Sequence, residues 1–151
     1  MLRPSKKMMF AIEAVLDIAY HAGGEPVQSR EITRRQGIPR RYLEQTLQQL
    51  VRAGILVGVR GPRGGYRLAR ERRRISVGDI VRVVRSLETA EDPMSEIPIS
   101  DLGKHVIRPM WNNLAEEMMA RLDAISVDDL CLDAYKNGVR SEAQAKMDFT
   151  I

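Results

Sequence analysis

The side chains best equipped for chemistry lie between residues 40 and 63. Arg40, Arg41, Tyr42, Glu44, Gln45 and Gln48 bring guanidinium, carboxylate and carboxamide groups together at three- and four-residue spacing. Such groups read base-pair edges: Gln bonds adenine bidentately, Glu accepts from cytosine N4, and Arg donates to guanine. A second set follows in Arg60-Gly61-Pro62-Arg63-Gly64-Gly65. Its glycines allow close backbone approach to phosphates, and its arginines can enter a minor groove. Plainer uses stay open: Glu44 can pair with Arg40 or Arg41 one helical turn away, and Tyr42 can pack or touch a phosphate.

Other chemistries have little to work with. His21 and His105 are the only histidines and Cys131 the only cysteine. No nucleophile motif, phosphate loop or metal-ligand spacing appears, so no enzyme is expected. A single cysteine excludes an internal disulfide and any all-cysteine metal site within one chain. Cys131 itself falls on the final helix, where a buried structural thiol is the expected reading. No apolar run approaches the roughly 20 residues of a membrane span and no signal-peptide pattern opens the chain, so the expected compartment is cytoplasmic.

The elements that must position these residues are legible from periodicity and caps. Met8, Ile12, Val15, Leu16 and Ala19 recur at helical spacing over 5–22, and Gly23-Gly24 closes the run. Ser29 is the expected N-cap of a second helix over 30–36, which Gly37 stops. A third runs from Pro39, taken as its first helical position, to about Ala53, with Leu43, Leu47, Leu50 and Val51 as its apolar stripe. Two helices joined by a tight glycine turn, the second rich in Arg, Gln and Glu, make a helix-turn-helix. Strand-like runs at 55–59 and 66–69 flank Arg60–Gly65, which reads as a wing.

Ser76 and Asp79 have capping-box spacing, which predicts a helix over 77–87, and Ser126 with Asp129 repeats the signal. The stretch 88–100 holds Pro93, Pro98 and four acidic residues and reads as a loop. A long helix is expected within 101–124, starting at Pro109 or kinked there. Ile107, Trp111, Leu114, Met118, Leu122 and Ile125 form one seam along it. The seam predicts a homodimer interface; a helix packed only on its own domain is the alternative. The fold class is therefore mostly α with a small β-wing: a winged helix-turn-helix domain at 1–87, an acidic loop at 88–100, dimerisation and packing helices at 101–136, and a loosely ordered tail at 137–151.

Charge divides the chain at the same place. Residues 1–86 carry 18 Lys and Arg against 7 Asp and Glu, whereas 87–151 carry 6 against 13. The net +4 thus joins a basic polyanion-binding half to an acidic half with another task. Sixteen of the first 18 cations are Arg, the side chain suited to bidentate contact with phosphate and guanine.

Gln36-Gly37-Ile38-Pro39-Arg40-Arg41-Tyr42-Leu43-Glu44-Gln45 and the wing Val59–Leu68 together resemble the bacterial iron–sulfur cluster regulators, the IscR/NsrR/CymR-like winged helix-turn-helix family. The likeness runs from about Met1 to Asp133. It implies homodimers on partly palindromic operators, base reading by Arg41, Glu44 and Gln45, and a wing at 60–64. It also implies three cysteines and a fourth ligand near Pro93, Ile99, His105 and Arg108, of which only His105 can ligate iron. One imidazole does not hold a cluster that takes four protein donors, so no cofactor and no metal are expected.

The resulting expectation is a DNA-binding transcriptional regulator, a repressor, that acts on duplex DNA as a homodimer without a cluster. Two alternatives remain: a cluster-binding sensor that uses carboxylates such as Asp92, Glu96 or Asp101, and a winged-helix adaptor that binds protein instead of DNA. The signal is open among a small-molecule effector, a partner protein on the acidic half, and oxidation of Cys131.

Overall fold

The computed structural model describes residues 3–88 and 97–143. It is mostly helical with one two-stranded antiparallel sheet. Helix α1 (Lys6–His21) is the hub and touches α2, α3, α4, α6 and the second strand. Its inward face explains this role. Ala11 and Ala14 are fully buried and let neighbouring helices approach, while Val15 and Ile18 fill the space between them. Ser5 caps α1 by accepting from the Met8 N–H at 3.2 Å.

Helices α2 (Ser29–Gln36) and α3 (Arg40–Arg52) follow, joined at Gly37. Gly37 has φ 67°, a left-handed turn that a side chain would strain, and its N–H caps the Thr33 carbonyl. Leu43, Leu47 and Leu50 are wholly buried beside Ile32 and Ile38, so α3 is fixed by one face and leaves the other free. Truncating one of these leucines to alanine costs about 2–5 kcal/mol. Two boundaries differ from the sequence reading. Ser29 is the first residue of α2, not its cap, because the Gln28 N–H donates to Glu31 Oε2 at 3.0 Å one residue earlier. Pro39 is the N-cap of α3 instead of its first helical residue.

Strands β1 (Leu56–Val59) and β2 (Gly65–Leu68) pair with Leu56 opposite Leu68 and Val59 opposite Gly65. The linker residue Val27 exchanges two 2.8 Å backbone bonds with Tyr66, so the wing is stitched to the chain before α2. A short 3-10 turn (Arg72–Arg74) leads to α4 (Val77–Glu88). Both capping boxes are formed: Ser76 with Asp79, and Ser126 with Asp129 at the head of α6 (Val127–Lys136). Ser76 and Ser126 also bridge, so the two helices begin side by side.

Of the two expectations at Pro109, the structure shows the start: regular α-helix begins one residue before the proline. Residues Gly103–Ile107 form a π turn that runs into α5 (Arg108–Asp123). Pro109 has no N–H to give the His105 carbonyl, and the preceding turn widens until the Arg108 N–H reaches Gly103 O. Helix α5 buries none of its residues. Ala115, Met119 and Leu122 are half-buried on the side turned to α4. Met110, Trp111, Leu114 and Met118 stay about half exposed.

The loop expected at 88–100 lies mostly outside the described residues, since 89–96 are not among them. The tail behaves differently from expectation where it is described. Val139 and Ser141 bond to Tyr20, and Glu142 bonds to α1 and α2, so 139–142 form a strap across the domain. Its bonds come from scattered polar groups, which leave no periodic pattern to read.

Candidate nucleic-acid interface

The free face of α3 carries Arg40, Arg41, Tyr42, Glu44, Gln45 and Gln48, every one of them exposed. Burial of Leu43, Leu47 and Leu50 on the opposite side forces this arrangement, because three- and four-residue spacing separates the two faces. Arg40 and Glu44 are already engaged with each other, Nε to Oε1 at 3.0 Å. The plainer use of Glu44 is therefore realised in the unbound chain, at a solvent-exposed pair that contributes little to stability. Tyr42 is half exposed, and its backbone carbonyl accepts from the Thr46 hydroxyl.

The wing tip stands beside this face. Gln28, Ser29 and Arg30 at the head of α2, Arg40 of α3, and Arg60, Gly61, Pro62 and Gly64 of the wing line one groove of about 570 Å³. Gln28 Nε2 donates to Pro62 O at 3.4 Å and ties the tip to α2. Gly64 is buried in the tip, where a Cβ would collide with the Val59 carbonyl, so this position admits only glycine without a shift of backbone. The structure thus brings Arg40 of the first sequence-predicted set and Arg60, Gly61, Pro62 and Gly64 of the second to one groove. Arg41, Tyr42, Glu44, Gln45 and Gln48 stand outside its lining on the exposed face of α3. Gln28, Ser29 and Arg30 were missed by sequence reasoning. The Gln28-x-x-Glu31 spacing would have found the start of α2, whose first N–H groups are suited to a phosphate oxygen.

Part of the basic half is neutralised by carboxylates of the acidic half. Arg72 meets Asp128 at 2.6 Å, Arg82 meets Asp123 at 2.5 Å, and Arg34 and Arg35 both meet Glu142. The Arg82 guanidinium holds the Asp123 carboxyl below its ordinary range. Among the described residues, Arg30, Arg41, Arg60 and Arg63 pair with no carboxylate. Arg30 and Arg60 line the groove, Arg63 stands on the wing, and Arg41 lies on the free face of α3.

A helix-turn-helix with a paired wing and unpaired arginines beside both defines a winged-helix DNA-binding protein of transcription regulation. Comparison with known proteins narrows the class. Residues 4–133 match the Rrf2 family, described as iron-dependent transcriptional regulators, and the chain belongs to that family. It is 33% identical to the HTH-type transcriptional regulator IscR of Aliivibrio salmonicida over 132 residues, 87% of this chain and 79% of that one. It is 31% identical to protein rrf2 of Nitratidesulfovibrio vulgaris, over 88% of this chain and 89% of the other. Among solved structures it resembles T. potens IscR, with a TM-score of 0.71 and 34% identity over 92% of this chain and 93% of that one. It also resembles CymR, the global cysteine regulator of B. subtilis, with a TM-score of 0.68 and 28% identity over 87% and 97% of the two chains.

The family description raises the question of iron, and the donor set does not fit an iron–sulfur cluster. The one cysteine, Cys131, is buried in α6, and burial pushes its thiol up while Arg72 beside it pulls the other way. A thiol held protonated is a poor ligand. His105 is exposed on the π turn. Among the described residues no three His, Cys, Asp or Glu side chains are grouped so that they could hold a metal ion. Residues 89–96, which lie outside them, include neither cysteine nor histidine. No helix among the described residues is long and apolar enough to cross a membrane.

Proposed function

We propose that this protein is a cytoplasmic, cluster-free repressor that binds a partly palindromic operator as a homodimer. The observation that carries the reading is the groove between the head of α2, α3 and the wing, where Arg30 and Arg60 meet no carboxylate among the described residues. In this reading α3 enters the major groove, where Arg41, Glu44, Gln45 and Gln48 meet base edges. Arg60 and Arg63 enter the adjacent minor groove, and the head of α2 holds a phosphate. Glu44 must leave Arg40, or keep it as a shared partner, to accept from a cytosine.

The dimer rests on the exposed seam. Trp111, Leu114 and Met118 of α5, with Ile107 just before it and Ile125 just after it, keep between 38% and 54% of their surface in contact with solvent. An apolar stripe of that length favours a second copy. Leu122 belongs to the half-buried stripe against α4 and supports the seam from behind. Leu102, Val106 and Met110 extend the exposed side.

The test is in vitro selection from random duplexes by protein purified anaerobically with ample iron and sulfide. The expected result is a colourless protein that enriches two half-sites about one helical turn apart, roughly 34–36 Å. Recovery of unenriched sequences, or a stoichiometric iron–sulfur absorption band, would overturn the reading.

A further inference from the structure

Behind the wing, the end of α1, helix α2 and the strap enclose a cavity of about 540 Å³. His21, Arg30, Arg35, Pro62, Arg63 and Glu142 are among its walls. Its floor is built from buried charge. The Asp17 side chain is wholly buried and accepts from Arg35 Nε at 2.9 Å, Arg35 Nη2 at 2.7 Å and Gln36 Nε2 at 2.7 Å. Those bonds fix the Arg35 guanidinium in one orientation, with the side chain nine-tenths buried, and aim Nη1 outward.

What Nη1 meets is a carboxylate. Glu142 Oε2 lies 2.7 Å from Arg35 Nη1, and Glu142 Oε1 lies 2.8 Å from Arg34 Nη2. The Glu142 N–H donates to His21 Nδ1 at 3.1 Å. Two guanidinium groups thus grip the two oxygens of one carboxylate, and the rigid one is oriented before the carboxylate arrives. This is the arrangement of a preorganised anion receptor. The Glu142 side chain keeps 37% of its surface in water, so its carboxylate can exchange; Val139 and Ser141 tie the strap to Tyr20. Glu25 and Glu31 also face the cavity, but Glu31 is committed to the Gln28 N–H. Once Glu142 leaves, Arg30, Arg35 and Arg63 line the cavity against Glu25 and Glu31, and Arg34 is released beside it.

We propose that Arg34, Arg35 and the adjoining cavity are an effector site for a small carboxylate- or phosphate-bearing metabolite, which Glu142 fills in cis until the free anion displaces it. The volume suits a small metabolite. Arg30 lines both this cavity and the DNA-facing groove, and Arg63 belongs to the wing, so occupancy reaches the groups that meet DNA. That last link rests on the DNA-binding reading above; the site itself does not.

The test is calorimetric titration of the full chain, without DNA, with citrate and separately with inorganic phosphate at constant ionic strength. Wild type should bind one of them saturably, with the better probe naming the anion class. Glu142→Gln removes the tethered competitor and should bind about tenfold more tightly; Arg34→Gln, at an exposed position, should bind about tenfold more weakly. Amide exchange at 141–143 should rise when the anion binds, a readout that a purely structural strap would not show. Absence of saturable binding in both wild type and Glu142→Gln, or equal binding in Arg34→Gln, would overturn the proposal. Anion binding by a protein that ignores DNA would overturn only the reading of the groove.

Discussion

Arg35 reaches across from α2 to grip Asp17 of α1 with two bonds, at 2.7 and 2.9 Å, where the carboxylate has no contact with solvent. This pair joins the hub helix to the helix-turn-helix. Removal of one partner strands a buried charge, which costs far more than loss of an exposed pair. Asp17→Ala should therefore destabilise the fold by about 3–5 kcal/mol in urea unfolding. Arg34→Ala, which breaks a surface contact to Glu142, should cost about 0–1 kcal/mol. Comparable costs for the two variants would show that the pair does not anchor the domain.

Trp111 tests the seam without testing the core. It is 46% exposed within its own chain, so Trp111→Glu should leave the monomer folded. Light scattering should then report a monomer with native circular dichroism and no operator binding. A variant that stays dimeric and binds normally would remove α5 as the interface.

Specificity and affinity should separate between helix and wing. Gln45→Ala should relax base preference, at about 1–3 kcal/mol for a lost bidentate contact. Arg63→Ala should weaken all sequences alike and reduce the salt slope by about one unit. Binding to a panel of single-base operator variants distinguishes them. A change of base preference in Arg63→Ala alone would reverse the two roles.

The strap should respond to pH through His21. Burial and then the Arg35 charge lower the imidazole below its ordinary 6.5, with Arg34 in the same direction and Asp17 and Glu142 opposing. Arg30, Glu25, Glu31 and Arg63 also face this cavity. The Glu142 carboxyl is likewise lowered, chiefly by its bond to Arg34. The Glu142 N–H needs an unprotonated Nδ1 as its acceptor, so protonation of His21 removes that bond and docking weakens as pH falls through the lowered range of the imidazole. Nuclear magnetic resonance shifts of 141–143 between pH 7.5 and 5.5 should follow this transition, and His21→Asn, which keeps an acceptor for the Glu142 N–H, should flatten it. An unchanged transition in that variant would acquit His21.

The helices and the wing were legible because their determinants are local. The leucine stripe at 43, 47 and 50, the Gly37 turn, the Ser76 and Ser126 caps and the glycines of 61–65 act within a few residues of themselves, so spacing alone exposes them. The outward face of α3 follows by subtraction from its buried one. Two local readings still failed, at Ser29 and Pro39, where competing cap residues lie one position apart and only the hydrogen bonds choose between them.

Tertiary structure decided the rest. Nothing in the spacing of Asp17, His21, Arg35 and Glu142 reveals that they meet, because they come from three segments more than a hundred residues apart at the extremes. Charge counting marked the whole first half as basic, yet only folding could show which arginines are cancelled by Asp123, Asp128 and Glu142 and which stay free at the groove. Composition is set by the chain, but electrostatic potential depends on distance, and distance between remote residues exists only once the chain has packed.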